Sequence, residues 1–204
     1  MLGTGPDQQC GLRERKKART RASLREHALR LFREQGYQAT TVEQIAAAAE
    51  VSPSTFFRYF PTKEDVVLQD DMDTRMIQAL ERQPAALGPV AAARMATQEV
   101  FASYTATDLN VIRETAGLTV TVPEVRARAL DEFARTIEVI SAALAKRSGR
   151  QPDDLAVRTT AGAIVGVIMS ITLPWDGWTE RMSIEETFLR IDQALALLEA
   201  GLPL

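Results

Sequence analysis

Apolar residues recur along this chain at spacings of three and four, and the residues between them are those that start and stop helices. Strand alternation is nearly absent. The one β-branched cluster, Leu118 to Val122, is short and runs straight into Pro123. The pattern predicts an all-α fold of about nine helices. A first helix over 22–35 puts Leu24, Ala28, Leu31 and Phe32 on one face, and Gly36 stops it. Thr40 and Glu43 are placed as a capping box for a helix over 42–49. Ser52 followed by Pro53 reads as an N-cap with proline at the first helical position, opening a helix to Phe60. Pro61 ends it, and Thr62 caps a long helix to Gln83. Further helices are expected over 89–104, 108–118, 123–147, 153–173 and 183–201, the last opened by a Ser183/Glu186 capping box. The boundary between two bodies falls inside the long helix, giving a flexible arm (1–21), a three-helix domain (22–68) and a larger helical domain (69–204).

The two short helices over 42–49 and 53–60 are separated by little more than Glu50 and Val51. That is helix-turn-helix spacing, in which the second helix enters the DNA major groove. On a helical wheel of that second helix, Phe56, Phe57 and Phe60 share an arc of about 100° and are expected to face the core. The opposite arc carries Ser54, Thr55, Arg58 and Tyr59. Small hydroxyl side chains let a helix approach base edges, and arginine reaches guanine or phosphate.

Charge is distributed unevenly. The formal net charge is −3, yet residues 13–33 hold nine basic and two acidic side chains. Residues 69–204 hold 13 basic and 19 acidic ones. A basic first third on an acidic remainder fits a polyanion-binding module joined to something else. Arg13, Arg15, Lys16, Lys17, Arg19 and Arg21 are candidates for an arm that follows the DNA backbone or enters the minor groove. An unstructured arm adding only non-specific attraction is the other reading.

Residues 24–68 resemble the DNA-binding domain of the TetR family of bacterial repressors. The resemblance rests on the run from Ala28 to Ala46, with Gly36-Tyr37 and Thr40-Thr41-Val42 at its centre. It continues through Val51-Ser-Pro-Ser-Thr-Phe-Phe-Arg-Tyr-Phe-Pro-Thr-Lys-Glu-Asp65. It implies DNA contacts at Thr40 or Thr41, at Ser52, Pro53, Ser54 and Thr55, at Arg58 and Tyr59, and at Lys63. The family commonly has tyrosine where Phe57 stands and histidine where Tyr59 stands; Phe57 has no hydroxyl for a phosphate and is taken as core. The Phe-Phe-Arg-Tyr-Phe-Pro variant and the apolar C-terminal half are similar to an actinobacterial subgroup that includes mycofactocin-system regulators.

The resemblance implies a ligand-responsive transcriptional regulator, a repressor binding a palindromic operator in double-stranded DNA as a homodimer. It also implies that a small-molecule effector binds among the middle helices and respaces the reading heads. The last two helices look suited to a dimer interface. Gly162 and Gly166 allow close approach on one, and Leu189, Ala196 and Leu197 lie off the docking face of the other. Burial of both helices within a monomer is the alternative. Met95, Phe101, Tyr104, Phe133, Ile137 and Met169 are candidate pocket residues, with Arg113 a candidate anion partner. An apolar pocket suits a hydrophobic molecule or an acyl thioester. Trp175 and Trp178 flank a turn that could cap the pocket, sit at a dimer rim or plug a corner.

Enzyme readings fare worse. Asp70-Asp71-Met72-Asp73 resembles the magnesium-binding helices of all-α prenyl-transfer enzymes, but such chemistry needs a second cluster on a facing helix. His27 and Cys10 are the single histidine and cysteine, too few for a zinc site or an internal disulfide. No metal and no cofactor are expected. The chain start has no signal-peptide pattern, and the most apolar run, Ala161 to Leu173, is 13 residues, shorter than a membrane span. A cytoplasmic protein without a membrane partner is therefore expected. An all-α enzyme with a basic appendage and a nucleoid-associated module without an effector remain as competing classes.

Overall fold

The computed structural model describes residues 6–68, 72–173 and 182–203. Ten helices occupy them, and no strand occurs among the described residues. They are α1 (Pro6–Gln35), α2 (Val42–Ala48), α3 (Pro53–Tyr59), α4 (Lys63–Leu68), α5 (Met72–Arg82), α6 (Pro89–Ala102), α7 (Ala106–Thr121), α8 (Pro123–Ser148), α9 (Leu155–Thr172) and α10 (Ile184–Glu199). The chain divides into two compact units, Met1–Gln69 and Asp70–Leu204. The long helix expected from Thr62 to Gln83 is described as α4 and α5, with 69–71 outside the described residues. Asp70 and Asp71 lie there, and Trp175 and Trp178 likewise fall outside the described residues, as do the side chains of Cys10 and Asp73.

In the first unit α1 packs on α2 and α4, and α2 on α3. Leu24, Ala28, Leu29 and Phe32 of α1, Ile45 and Ala46 of α2, Phe56 and Phe60 from the α3 segment, and Val66 and Val67 of α4 are buried together in its core. Leu29 takes the core place that the wheel offered to Leu31, which is half-buried. Helix α1 begins at Pro6 rather than near Ala22. The segment expected to be a flexible arm is rich in arginine and lysine, both good helix formers, and it continues the helix.

Two caps differ from the sequence reading by a few residues. The capping box of α2 is Thr41 with Gln44, not Thr40 with Glu43. For α7, Thr105 is the N-cap and Asp108 is its partner three residues on, so the helix starts earlier than Asp108. In the α7 box Asp108 is the N3 partner: it accepts from the Thr105 N–H and hydroxyl, and its own N–H donates to Thr105 Oγ1. At α2 two adjacent threonines can each cap, and Thr40 is claimed by the interior.

The turn between α2 and α3 is a Schellman motif, in which Glu50 N donates to Ala47 O (3.1 Å) and Val51 N to Ala46 O (2.9 Å). It forces Glu50 into the left-handed region at φ 56°, where a Cβ is disfavoured. The α1–α2 turn is tied to α4 by side chains. Tyr37 Oη donates to Glu64 Oε1 at 2.5 Å, and Lys63 Nζ donates to the carbonyls of Tyr37 (2.9 Å) and Thr40 (3.0 Å) while lying 4.0 Å from the Tyr37 ring centre. Asp65, fully buried, accepts from Thr62 N at 2.9 Å, and its own N–H donates to Thr62 Oγ1.

In the second unit α9 packs against α8, α10 and α6, while α5 packs on α6 and α8, and α7 on α8 and α10. The apolar run around 161–173 is part of α9, whose 18 residues average a hydropathy of 1.6. By length and composition alone α9 is long and apolar enough to cross a bilayer, contrary to the shorter span read from the sequence. Four of its residues, Val157, Ala161, Ile164 and Val165, are buried among its neighbours. Arg94 of α6 pins α10 through Asp192, with Nε to Oδ1 at 2.7 Å, and this contact holds the Asp192 carboxyl below its ordinary range.

Two outcomes follow for the first unit. Glycine relieves the left-handed strain at position 50, so Glu50→Gly should raise its unfolding free energy by about 0.5–1 kcal/mol in urea denaturation. A fall would contradict the turn geometry. The Glu64 carboxyl lies below its ordinary value of 4.5: burial works to raise it, but the Tyr37 hydroxyl, its own backbone N–H, the Thr62 hydroxyl and Lys63 together prevail. A depressed folded-state value stabilises the fold above the unfolded value and is lost as pH falls through the folded one. Tyr37→Phe should therefore lower the urea midpoint at pH 7, with the deficit shrinking below about pH 4. An equal deficit at pH 7 and pH 3 would contradict this.

Candidate nucleic-acid interface and effector cavity

Helix α3 is short because Pro61 follows it closely and Ser52 with Pro53 fixes its start. Phe56 and Phe60 are fully buried, with ring centres 5.8 Å apart. Phe57 is not core: it is 51% exposed, touching Phe56 edge-on at 5.5 Å. The expectation of three inward rings fails for this one. The centre of the buried arc lies between Phe56 and Phe60, and Phe57 sits about 80° away from it, on the flank. Two rings are enough to fix the orientation of so short a helix.

The outward arc follows the wheel fully at Ser54 and Arg58 and in part at Thr55 and Tyr59. Ser52, Pro53, Ser54 and Arg58 are exposed, and Thr55 and Tyr59 are half-buried. Ser52 caps α3 by accepting from Thr55 N at 3.2 Å, and its Oγ shares hydrogen bonds with Ser54 Oγ (2.9 Å) and Thr55 Oγ1 (3.0 Å). The Arg58 guanidinium lies 5.4 Å from the Tyr59 ring centre. The result is a small-residue edge of three hydroxyls beside one cation.

Thr41 is exposed at the start of α2, whereas Thr40 is 1% exposed, with Oγ1 donating to Gly36 O at 2.8 Å and accepting from Gln35 Nε2. The Thr40 side chain is thereby withdrawn from the surface, and Thr41 is the exposed member of the pair. Lys63 is half-buried and spends two of its three N–H groups on the α1–α2 turn, which makes it a clamp on that turn. Arg13, Arg15, Lys16, Lys17 and Arg19 project from α1 and are exposed, while Arg21 is half-buried with its guanidinium 5.1 Å from the Phe60 ring centre. The basic run is thus a helical surface whose last member packs against the core that orients α3. His27 is half-buried, its Nδ1 3.5 Å from Arg30 Nη2.

The second unit contains a cavity of about 520 Å³, walled by α5, α6, α7, α9 and α10. Of the residues proposed from sequence, Arg113 alone lines it. Phe101 stacks on Phe188 at 4.3 Å and Tyr104 lies 6.2 Å from the same ring, so both stand behind the Phe188 that forms the wall. Phe133 and Ile137 pack on the core cluster, Met169 is half-buried elsewhere on α9, and Met95 is 45% exposed. Helices apolar on two sides explain the miss, since periodicity finds apolar residues without telling which side meets a void. Met72, Met76, Phe188 and Ile191 supply apolar wall that the sequence reading overlooked, and four threonines supply oxygen atoms. A signal was present in the spacing of Arg113, Ala116, Gly117 and Val120, one face of α7 that is small and apolar beside a cation.

Arg113 Nη1 donates to Asn110 Oδ1 at 2.8 Å. The carboxylate of Glu185, exposed at the start of α10, lies in its field. Gly117 lines the cavity and leaves open space where a Cβ would stand. A smaller cleft of about 260 Å³ lies where Arg147 of α8 donates to the carbonyls of Gln83, Pro84 and Leu87. That arginine is a strut for the α5–α6 connection. No group of three or more potential metal ligands occurs among the described residues.

On the outer side of α10, Leu189 and Leu197 are 56% and 52% exposed, and Ala196 between them is half-buried. On α9, Gly162 and Gly166 are half-buried on the side away from Val157, Ala161 and Ile164, with nothing within 4 Å of an added Cβ.

Comparison with known proteins fits both units. Residues 24–69 match the family described as bacterial regulatory proteins, tetR family, and residues 87–203 match the MftR C-terminal domain. The transcriptional regulator TcmR of Streptomyces glaucescens is 52% identical over 84 residues, 40% of this chain and 37% of TcmR. The mycofactocin biosynthesis transcriptional regulator MftR of Mycobacterium tuberculosis is 26% identical over 174 residues, 79% of this chain and 82% of that one. Among solved structures, the TetR-family repressor FadR of Thermus thermophilus, crystallised with lauroyl-CoA, superposes with a TM-score of 0.53 at 26% identity, covering 90% of this chain and 95% of FadR. The chain thus belongs to the TetR family of DNA-binding, effector-binding transcriptional regulators, with an MftR-type C-terminal domain.

Proposed function

We propose that this chain is a homodimeric, ligand-released repressor that binds a palindromic operator. In this reading residues 22–68 form the DNA-reading domain and 69–204 the effector-binding and dimerisation domain. The observation that carries it is the exposed edge of α3, where Ser54, Thr55 and Arg58 stand opposite the buried Phe56 and Phe60. Arg58 and the hydroxyl edge read bases, Thr41, Ser52, Pro53 and Tyr59 approach the backbone, and Lys63 acts by holding the α1–α2 turn in place. The basic face of α1 from Arg13 to Arg21 adds phosphate attraction as a helix.

One such helix reads too few base pairs for a genome, so two copies are needed on two half-sites. The exposed Leu189 and Leu197, the half-buried Ala196 and the open Gly162 and Gly166 supply an apolar, small-residue face for that pairing. The effector is a small hydrophobic or acyl-type molecule held in the 520 Å³ cavity. Its size lies within the range of small-molecule sites, and FadR of T. thermophilus, similar over most of its length, was crystallised with lauroyl-CoA. Met72 and Met76 place the cavity against α5, the first described helix after the junction of the units, so occupancy can bias how the reading heads are spaced. Such a regulator works on genomic DNA in the cytoplasm.

One titration separates the roles, using the full-length protein with its own promoter fragment and a random duplex. Arg58→Ala should lose about 1–3 kcal/mol of preference for the promoter fragment. Lys16→Ala with Lys17→Ala should weaken both duplexes alike and flatten the salt dependence of binding. Equal weakening by Arg58→Ala on both duplexes would reduce that residue to a phosphate contact and remove the base-reading role.

A further inference from the structure

The four hydroxyl groups that the described residues bring to the cavity wall share one property. Thr97 Oγ1 donates to Ala93 O, Thr121 Oγ1 to Gly117 O, Thr172 Oγ1 to Ile168 O and Thr187 Oγ1 to Ser183 O, each at 2.9 Å. In every case the acceptor is the carbonyl one turn earlier in the same helix. A hydroxyl has one proton and two lone pairs, so with its proton on the carbonyl each threonine has only an acceptor to offer a ligand; Thr97 Oγ1 also lies 4.0 Å from Met76 Sδ. They stand on four different helices, α6, α7, α9 and α10. Among the described residues of the wall the one cationic donor is Arg113, which donates to the neutral Asn110 with the Glu185 carboxylate in its field and has further N–H groups to offer a ligand. The rest of the described wall is hydrocarbon and thioether.

A ligand can be deduced from its complement. A plain hydrocarbon would leave Arg113 and all four oxygens facing methylene groups. An unsubstituted fatty acid would meet Arg113 and nothing else polar. We infer that the effector is a hydroxylated organic acid: an apolar body with an anionic group for Arg113 and hydroxyl or N–H donors for the threonine oxygens. Arg113 and Thr121 lie eight positions apart on α7, about 12 Å along its axis, which sets the length of a body that bridges them. The inference rests on the reading of this cavity as the effector site and adds to it the polarity of the ligand.

The test is calorimetric, on the full-length protein. The probes are dodecanoate, 12-hydroxydodecanoate, 12-methoxydodecanoate and 1-dodecanol, with the ten- and fourteen-carbon hydroxy acids and their methyl ethers as length controls. The methyl ether keeps the oxygen and removes the proton. The hydroxy acid of best length should bind about three- to tenfold tighter than its methyl ether. At least one of Thr97→Val, Thr121→Val, Thr172→Val and Thr187→Val should erase that difference while leaving dodecanoate unchanged. Arg113→Gln should weaken the acids about tenfold and leave 1-dodecanol unaltered. Equal affinity of hydroxy acid and ether at every length, or a difference that survives all four valine variants, overturns the inference. Gly117→Phe distinguishes its failure from failure of the site itself, because it projects a ring into the cavity. Probe binding that Gly117→Phe leaves intact removes the cavity as effector site, and with it the inference. Binding that Gly117→Phe abolishes, with no advantage from the hydroxyl, removes the inference alone. Absence of binding by every probe overturns both.

Discussion

Burial of Phe56 and Phe60 is the contact on which the DNA-reading surface depends. A helix of two turns has little stability of its own, so its orientation is set by what it docks. With both rings inside a core built by Leu24, Phe32 and Ile45, the opposite arc can only point outward, and that arc carries Ser54, Thr55 and Arg58. The surroundings reinforce the same orientation. The Schellman turn at Glu50 fixes the approach of α2 to α3, and Lys63, Glu64 and Asp65 lock the neighbouring turns. Arg21, packed on the Phe60 ring, connects the basic face of α1 to this core.

Much of this surface was legible in the sequence because a helical wheel needs only spacing. The end of α3 at Pro61 and the stop of α1 at Gly36 were readable for the same reason: proline and glycine act locally. Phe57 was misread because apolar character marks a preference and not an address. Thr40 and Thr41 were confused because both can cap, and what chose between them is a long-range event, the burial of Thr40 beneath the α1–α2 turn. The helical start of α1 was missed because a run of like charges resembles a disordered arm, although arginine and lysine favour helix.

The cavity was the least legible part. A void belongs to no single helix and has no period. It is bounded by residues from five helices whose spacing along the chain is unrelated, and the polar threonines among them look like ordinary helix residues until their protons are traced to carbonyls one turn back. Arg113 was found because a charge on an otherwise apolar helix face is conspicuous. The aromatic candidates were close to the site, since Phe101 and Tyr104 back the Phe188 wall, but one layer removed. The family assignment therefore rests on local motifs, and the chemistry of the effector rests on packing.

Amide hydrogen exchange of the full-length protein, with and without its promoter duplex, tests the central claim most directly. The account predicts slowed exchange across 52–59 with the promoter fragment and markedly less with a random duplex of equal length. Protection confined to other segments, with 52–59 exchanging as in the free protein, would contradict it.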